Sequence, residues 1–77
     1  MIDPRLKATV LAELGLEDFP MEESTTASEV PGWDSLSHVR VLAAVEREFS
    51  VRFRSLEVIR LKNVGDLQAL VRRKSGA

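Results

Sequence analysis

"EVPGWDSLSHVRVLAAVEREF", running from Glu29 to Phe49, is the stretch that decides the fold. Pro31 and Gly32 make a turn that breaks any regular element before them. Asp34 follows Trp33 and has the side chain of a helix N-cap, able to accept from the free N–H groups of a first turn. Beyond it, at about 100° per residue, Leu36, Val39, Leu42, Val45 and Phe49 spread over one broad face while Arg40 and Arg47 lie largely away from it. The pattern predicts a helix over 35–49 with Ser35 in its first turn.

Working outward, Asp3 and Pro4 open a first helix over about 3–14, because proline at the first helical position loses no needed N–H. Leu6, Val10, Leu11 and Leu14 form its apolar stripe, and Gly15 is a C-terminal stop. Residues 15–34 form a long loop that is acidic and rich in Ser and Thr, with room for one short helical turn. Loops of this length in a small domain need anchors of their own, and Leu16, Phe19, Met21, Val30 and Trp33 supply them. After the central helix, Val51 and Phe53 alternate with polar residues in a segment too isolated to pair as a strand. It reads as an extended connection into a short helix over about 55–61. Asn63 caps a last helix over about 64–73, with Asp66 in the first turn and Arg72, Arg73 and Lys74 near the end, as the helix dipole favours. Val64, Leu67, Leu70 and Val71 are its buried stripe. The expected fold is all-α: a small four-helix bundle of three longer helices and a short third one, in a single domain over 1–77.

Composition narrows the function classes. A chain of 77 residues has no spare layer in which to sink a catalytic cavity. It has no cysteine, so it forms no disulfide and no thiolate metal site, and its single histidine, His38, stands apart from any cluster of carboxylates; no metal site is expected. No apolar run approaches the roughly 20 residues of a membrane span. The opening "MIDPRLKATV" lacks the layout of a signal peptide, so a cytoplasmic location is the expectation. Net charge is −1, distributed as −5 over residues 1–33, +2 over 34–62 and +2 over 63–77. That polarity orients partners but is too weak for nucleic-acid binding.

Ser35 admits three readings. It is an ordinary first-turn residue beside a capping aspartate; or a nucleophile with His38 as base; or a point of covalent attachment. The second needs an orienting acid, an oxyanion hole and a cleft, which a chain of this size with both groups on one helix does not offer, and no catalytic residue is assigned. In the third, the hydroxyl projects toward solvent and a phosphodiester formed there meets the positive end of the helix dipole. Trp33 is read as a loop anchor and His38 as a polar residue near the helix start, with contact to a bound phosphate as its lesser alternative.

Three segments in order, "GWDSLSHV", "VLAAVEREFSVRF" and "NVGDLQALV", make the chain resemble an acyl carrier protein over nearly its whole length. The resemblance implies that Ser35 bears 4′-phosphopantetheine, transferred from coenzyme A by a phosphopantetheinyl transferase, with Asp34 and Leu36 supporting it. An acyl or aminoacyl group is then held as a thioester and presented to acyl-activating enzymes, acyltransferases and synthases of a lipid, polyketide or related pathway. The protein itself is a monomeric carrier rather than an enzyme. Val39, Leu42, Val58 and Ile59 are candidates for an acyl pocket, and Arg40, Arg47, Arg54 and Arg60 for a partner-facing surface. Carriers of primary fatty acid synthesis usually follow Asp-Ser-Leu with an acidic residue, whereas Ser37-His38 and a series of arginines stand here, which implies a specialised, stand-alone type. The alternative is an unmodified helical interaction module with the same fold.

Overall fold

A computed structural model describes residues 2–75, so Met1, Gly76 and Ala77 of the expected 1–77 domain lie outside it. Four α-helices occur in the order α1 (Pro4–Leu14), α2 (Ser35–Phe49), α3 (Ser55–Val58) and α4 (Val64–Lys74), with a 3-10 turn at Ala27–Glu29 in the long loop. There is no strand among the described residues, and the fold is all-α.

Each long helix starts on a side-chain cap. The Asp3 carboxylate accepts the Arg5 N–H at 2.8 Å, Asp34 that of Ser37 at 2.9 Å, and Asn63 Oδ1 that of Asp66 at 2.8 Å. α1 ends on Gly15 at φ 71°, a left-handed position where a side chain is unfavourable. α2 ends in the same conformation on Ser50, at φ 56°, without the help of a glycine.

The core gathers Leu6, Val10 and Leu11 of α1, Val41, Leu42 and Val45 of α2, and Val64, Leu67 and Val71 of α4. α1 packs against α2, and Arg5 reinforces the pair from outside. Its Nε meets Glu48 Oε2 at 2.7 Å, Nη2 donates to the Glu48 carbonyl at 2.6 Å, and the guanidinium lies 4.7 Å from the Phe49 ring centroid. Gln68 is the one buried polar residue among those described, at 4% exposure, and its Oε1 accepts the Asp3 N–H. The apolar spacing of α4 points to Leu67, Leu70 and Val71 but carries no signal for Gln68.

The long loop is a strap held from inside. Met21, Val30 and Trp33 are buried, while Leu16, Phe19 and Ala27 pack half-buried on the core. Its backbone is tied to α4, whose first N–H groups have no partner within the helix. Val64 N–H donates to the Thr25 carbonyl and Gly65 N–H to the Glu23 carbonyl, both at 2.8 Å. A side chain at Gly65 has no room, since a Cβ there falls 2.9 Å from both Glu23 Cβ and Glu23 O.

Two expectations need correction. The helix expected over 55–61 is only Ser55–Val58. Beyond it the N–H groups of Arg60 and Leu61 bond three residues back, to Glu57 and Val58, in a tightened turn. Ile59 and Arg60 are exposed, so no apolar face exists there to reward further helix. The face assigned to α2 is also rotated. With Ser35 at 0°, buried Val41, Leu42 and Val45 lie at about 240°, 340° and 280°, whereas Leu36 and Val39 are 78% and 67% exposed. Val41 is fully buried and Phe49 half-buried. Packing against α1 selects the arc centred on Val45, and the N-terminal half of the apolar spread faces away from it.

Candidate attachment site at the start of α2

The turn Pro31-Gly32 brings the chain back to the core at Trp33, which is 9% exposed. From there Asp34 and Ser35 step out to the surface in consecutive positions. Asp34 is extended at φ −104° and ψ −171°, and its carboxylate accepts the Ser37 N–H while its carbonyl accepts the His38 N–H at 2.8 Å. The hydrogen bond from the Ser37 N–H is the main reason the Asp34 carboxyl sits below its ordinary value, with desolvation opposing it. Asp34 is therefore an anion engaged in fixing the helix start.

Ser35 occupies the first helical position and is exposed. Among the described residues its hydroxyl has no hydrogen-bond partner, leaving Oγ directed by the helix but otherwise unconstrained. The Ser35 and Leu36 N–H groups precede the helical ladder, so the helix mouth retains positive character next to that hydroxyl.

His38 is tied to the strap. Trp33 Nε1–H donates to His38 Nδ1 at 3.0 Å, with the ring centroids 6.0 Å apart. An Nδ1 that accepts leaves the neutral ring's proton on Nε2. Tryptophan is thus a core anchor whose polar edge also fixes the first turn of α2, a link that spacing alone did not reveal. A small cavity of about 30 Å³ lies beside the pair, between Ala27 and the Leu61–Val64 segment.

The expected pocket residues divide between core and surface. Leu42 is buried and Val58 packs half-buried on the core, but Val39 and Ile59 are exposed, the latter at 75%. Arg40, Arg47, Arg54 and Arg60 are all exposed. No cluster of three or more metal-binding side chains occurs among the described residues, and no helix there is long and apolar enough to cross a membrane.

The site is thus an outward serine behind a capping aspartate, on the second of four helices after a long strap. A family model described as the phosphopantetheine attachment site matches residues 4–71. The chain belongs to this carrier family. Covalently attached 4′-phosphopantetheine is the cofactor of the family. As a carrier fold the chain is similar to the solution structure of a holo acyl carrier protein from Geobacter metallireducens. The two superpose with a TM-score of 0.85 at 31% identity, over 96% of this chain and 88% of that one. No curated protein matches the sequence significantly.

Proposed function

We propose that this carrier receives 4′-phosphopantetheine on Ser35 and presents an acyl or aminoacyl group to partner enzymes in the cytoplasm. The observation that carries the assignment is the Ser35 hydroxyl itself, exposed and unpartnered in the first turn of α2 behind the Asp34 cap. The residues fit the group: a phosphodiester link needs one accessible hydroxyl on a rigid element, and no neighbouring side chain occupies Oγ. In the transfer, Oγ attacks the phosphorus that bears pantetheine in coenzyme A, the bond to the nucleotide phosphate breaks, and adenosine 3′,5′-bisphosphate leaves. The Oγ proton passes to a base of the transferase. Asp34 holds the helix start in place, and the positive end of the α2 dipole beside Ser35 favours the new negative charge. When attached, the arm's terminal thiol supplies the thioester linkage to the cargo.

Catalytic groups come from the partners in this reading: a phosphopantetheinyl transferase, an acyl-activating enzyme or acyltransferase, and downstream synthases of a specialised lipid or polyketide-like pathway. Leu36 supports the site from the exposed face rather than from the core. Leu42 and Val58 are the parts of the proposed acyl pocket that touch the core, and an acyl chain entering there must part the interior beside Val39 and Ile59.

The test is intact mass after incubation with coenzyme A and a broad-specificity phosphopantetheinyl transferase, beside Ser35→Ala. One phosphopantetheine increment on the wild type and none on the variant is expected. Absence of the increment on folded, initially unmodified protein would favour an unmodified interaction module and end the carrier reading of Ser35.

A further inference from the structure

The outward surface of α2 and α3 combines exposed apolar side chains with unneutralised arginines. Leu36 and Val39 on α2 and Leu56 and Ile59 on α3 are the large exposed hydrophobics of the described chain, between 67% and 78% accessible. Two ties place the chain that carries Leu56 and Ile59 beside α2, although Leu56 itself lines a groove with Arg60 and the α4 residues Asp66, Ala69 and Arg73. Phe53 N–H donates to Glu46 Oε2 at 2.7 Å, fixing the approach to α3 beside the C-terminal half of α2. At its far end, Leu61 shares the small cavity with His38, near the helix start. The segment between them, which contains Leu56 and Ile59, therefore runs back along α2.

The charges on this side are sorted by sign. Leu36, Ala43, Arg47 and Arg40 occupy about 80° to 140° on α2, opposite the buried arc. Of the nearby acids, Glu46 accepts the Phe53 N–H, Glu48 pairs with Arg5, and Asp66, which lines a groove with Arg60, accepts the Lys62 N–H. Glu57 accepts from the Arg54 N–H and pairs with Lys74 at 2.8 Å and Arg73 at 3.8 Å, turned toward α4. Among the described residues no acid lies within 4.0 Å of the Arg40, Arg47, Arg54 or Arg60 side chains. An apolar patch rimmed by one sign of free charge selects its partner by complementarity and repels the same sign.

We infer that this face docks a protein partner whose contact patch is acidic around an apolar centre. The inference rests on the carrier reading, since Ser35 stands at the edge of the same face and a docked enzyme would have the arm within reach. Arg40 and Arg47 supply charge selection from α2 and Arg54 from the cap of α3, and Leu36, Val39 and Ile59 supply the contact that is insensitive to salt.

The probe is a pair of amphipathic peptide helices of about 14 residues, each with a leucine face, one flanked by glutamates and one by lysines. Binding to the isotope-labelled protein is followed by amide shifts, in the unmodified form and in the form produced by the transferase. The glutamate peptide is expected to shift amides of residues 36–47 and 54–60, with an affinity that falls as salt rises from roughly 0.05 to 0.5 M. Arg40→Glu with Arg47→Glu should weaken it about tenfold, since several exposed charge pairs change sign together. Ile59→Ser should weaken both peptides without reversing the preference. Equal or tighter binding of the lysine peptide, or shifts confined to the Arg72–Lys74 end of α4, would overturn the inference. The mass increment on Ser35 does not depend on these peptides, so failure of the docking face and failure of the carrier reading give different results.

Discussion

Gly65→Ala is the substitution whose consequence the geometry fixes most tightly. The added Cβ arrives 2.9 Å from Glu23 Cβ, 2.9 Å from Glu23 O and 3.2 Å from Glu23 Cα. Comfortable carbon contacts begin at roughly 3.5 Å, so the strap or the helix start must move by about half an ångström or more. Two of the three obstructing atoms are backbone, so rotation of the Glu23 side chain cannot relieve the contact. The movement also stretches the two 2.8 Å bonds from Val64 and Gly65 to the strap, each worth about 0.5–1.5 kcal/mol. Overpacking at a tight site costs about 1–3 kcal/mol. Against this, alanine gains about 1 kcal/mol over glycine as a helix former. The balance is a loss of about 1–3 kcal/mol, which in a domain of this size lowers Tm by roughly 5–20 °C. Thermal and urea unfolding measure the loss, and amide exchange locates it. The Val64 amide should lose more protection than those of Val41 and Val45 in the α1–α2 interface. A Tm equal to or above that of the wild type would refute the claim that the strap is interlocked with α4.

Two further outcomes follow from the same physical terms. Ser50→Gly should raise stability by about 0.5–1 kcal/mol, because a left-handed residue with a side chain costs about 1–2 kcal/mol and glycine returns part of that as chain entropy; an unchanged or lower urea midpoint would show that Ser50 is not strained. Stability should also decline in acid. Lys7 holds Asp18, the Ser37 N–H holds Asp34, and Lys74 holds Glu57 below their ordinary carboxyl values. Groups with lowered folded values contribute fully above the unfolded values of 3.8 and 4.5, and lose that contribution as pH falls through the folded ones. A urea midpoint flat from pH 5 to roughly pH 2 would contradict those pairings.

Much of this was legible in the sequence because it depends on neighbours along the chain. Asp3, Asp34 and Asn63 act as caps through bonds spanning two or three residues, and the left-handed stop at Gly15 is a local steric preference. The strap anchors Met21, Val30 and Trp33 were visible as isolated apolar residues in an acidic stretch. What was not legible depends on which elements meet. Six large apolar residues on α2 allow several buried arcs, and only contact with α1 keeps Leu42 and Val45 of the expected face in the core and adds Val41 in place of Leu36 and Val39. A one-turn α3 cannot be separated from a longer helix by pattern, because Ile59 is apolar whether or not anything covers it. The Trp33–His38 bond and the closeness of Gly65 to Glu23 are tertiary contacts with no periodic signature.

The rotation of α2 changes how the site is understood. If Leu36 and Val39 were core residues, Ser35 would open onto a buried seam, and the helix would offer partners little besides charge. With the arc turned toward α1, the same helix holds the domain together through one side and leaves the other, beginning beside Ser35, uncommitted. The charges divide accordingly. Glu46, Glu48 and Glu57 are engaged in internal ties that fix α1, α2, α3 and α4 to one another, while Arg40, Arg47 and Arg60 remain unpaired at the surface. Replacing those arginines therefore tests recognition with little effect on the fold, whereas replacing the glutamates perturbs both. That separation makes charge reversal on α2 interpretable: a variant that keeps its Tm and its phosphopantetheine increment but loses the acidic partner has lost docking alone.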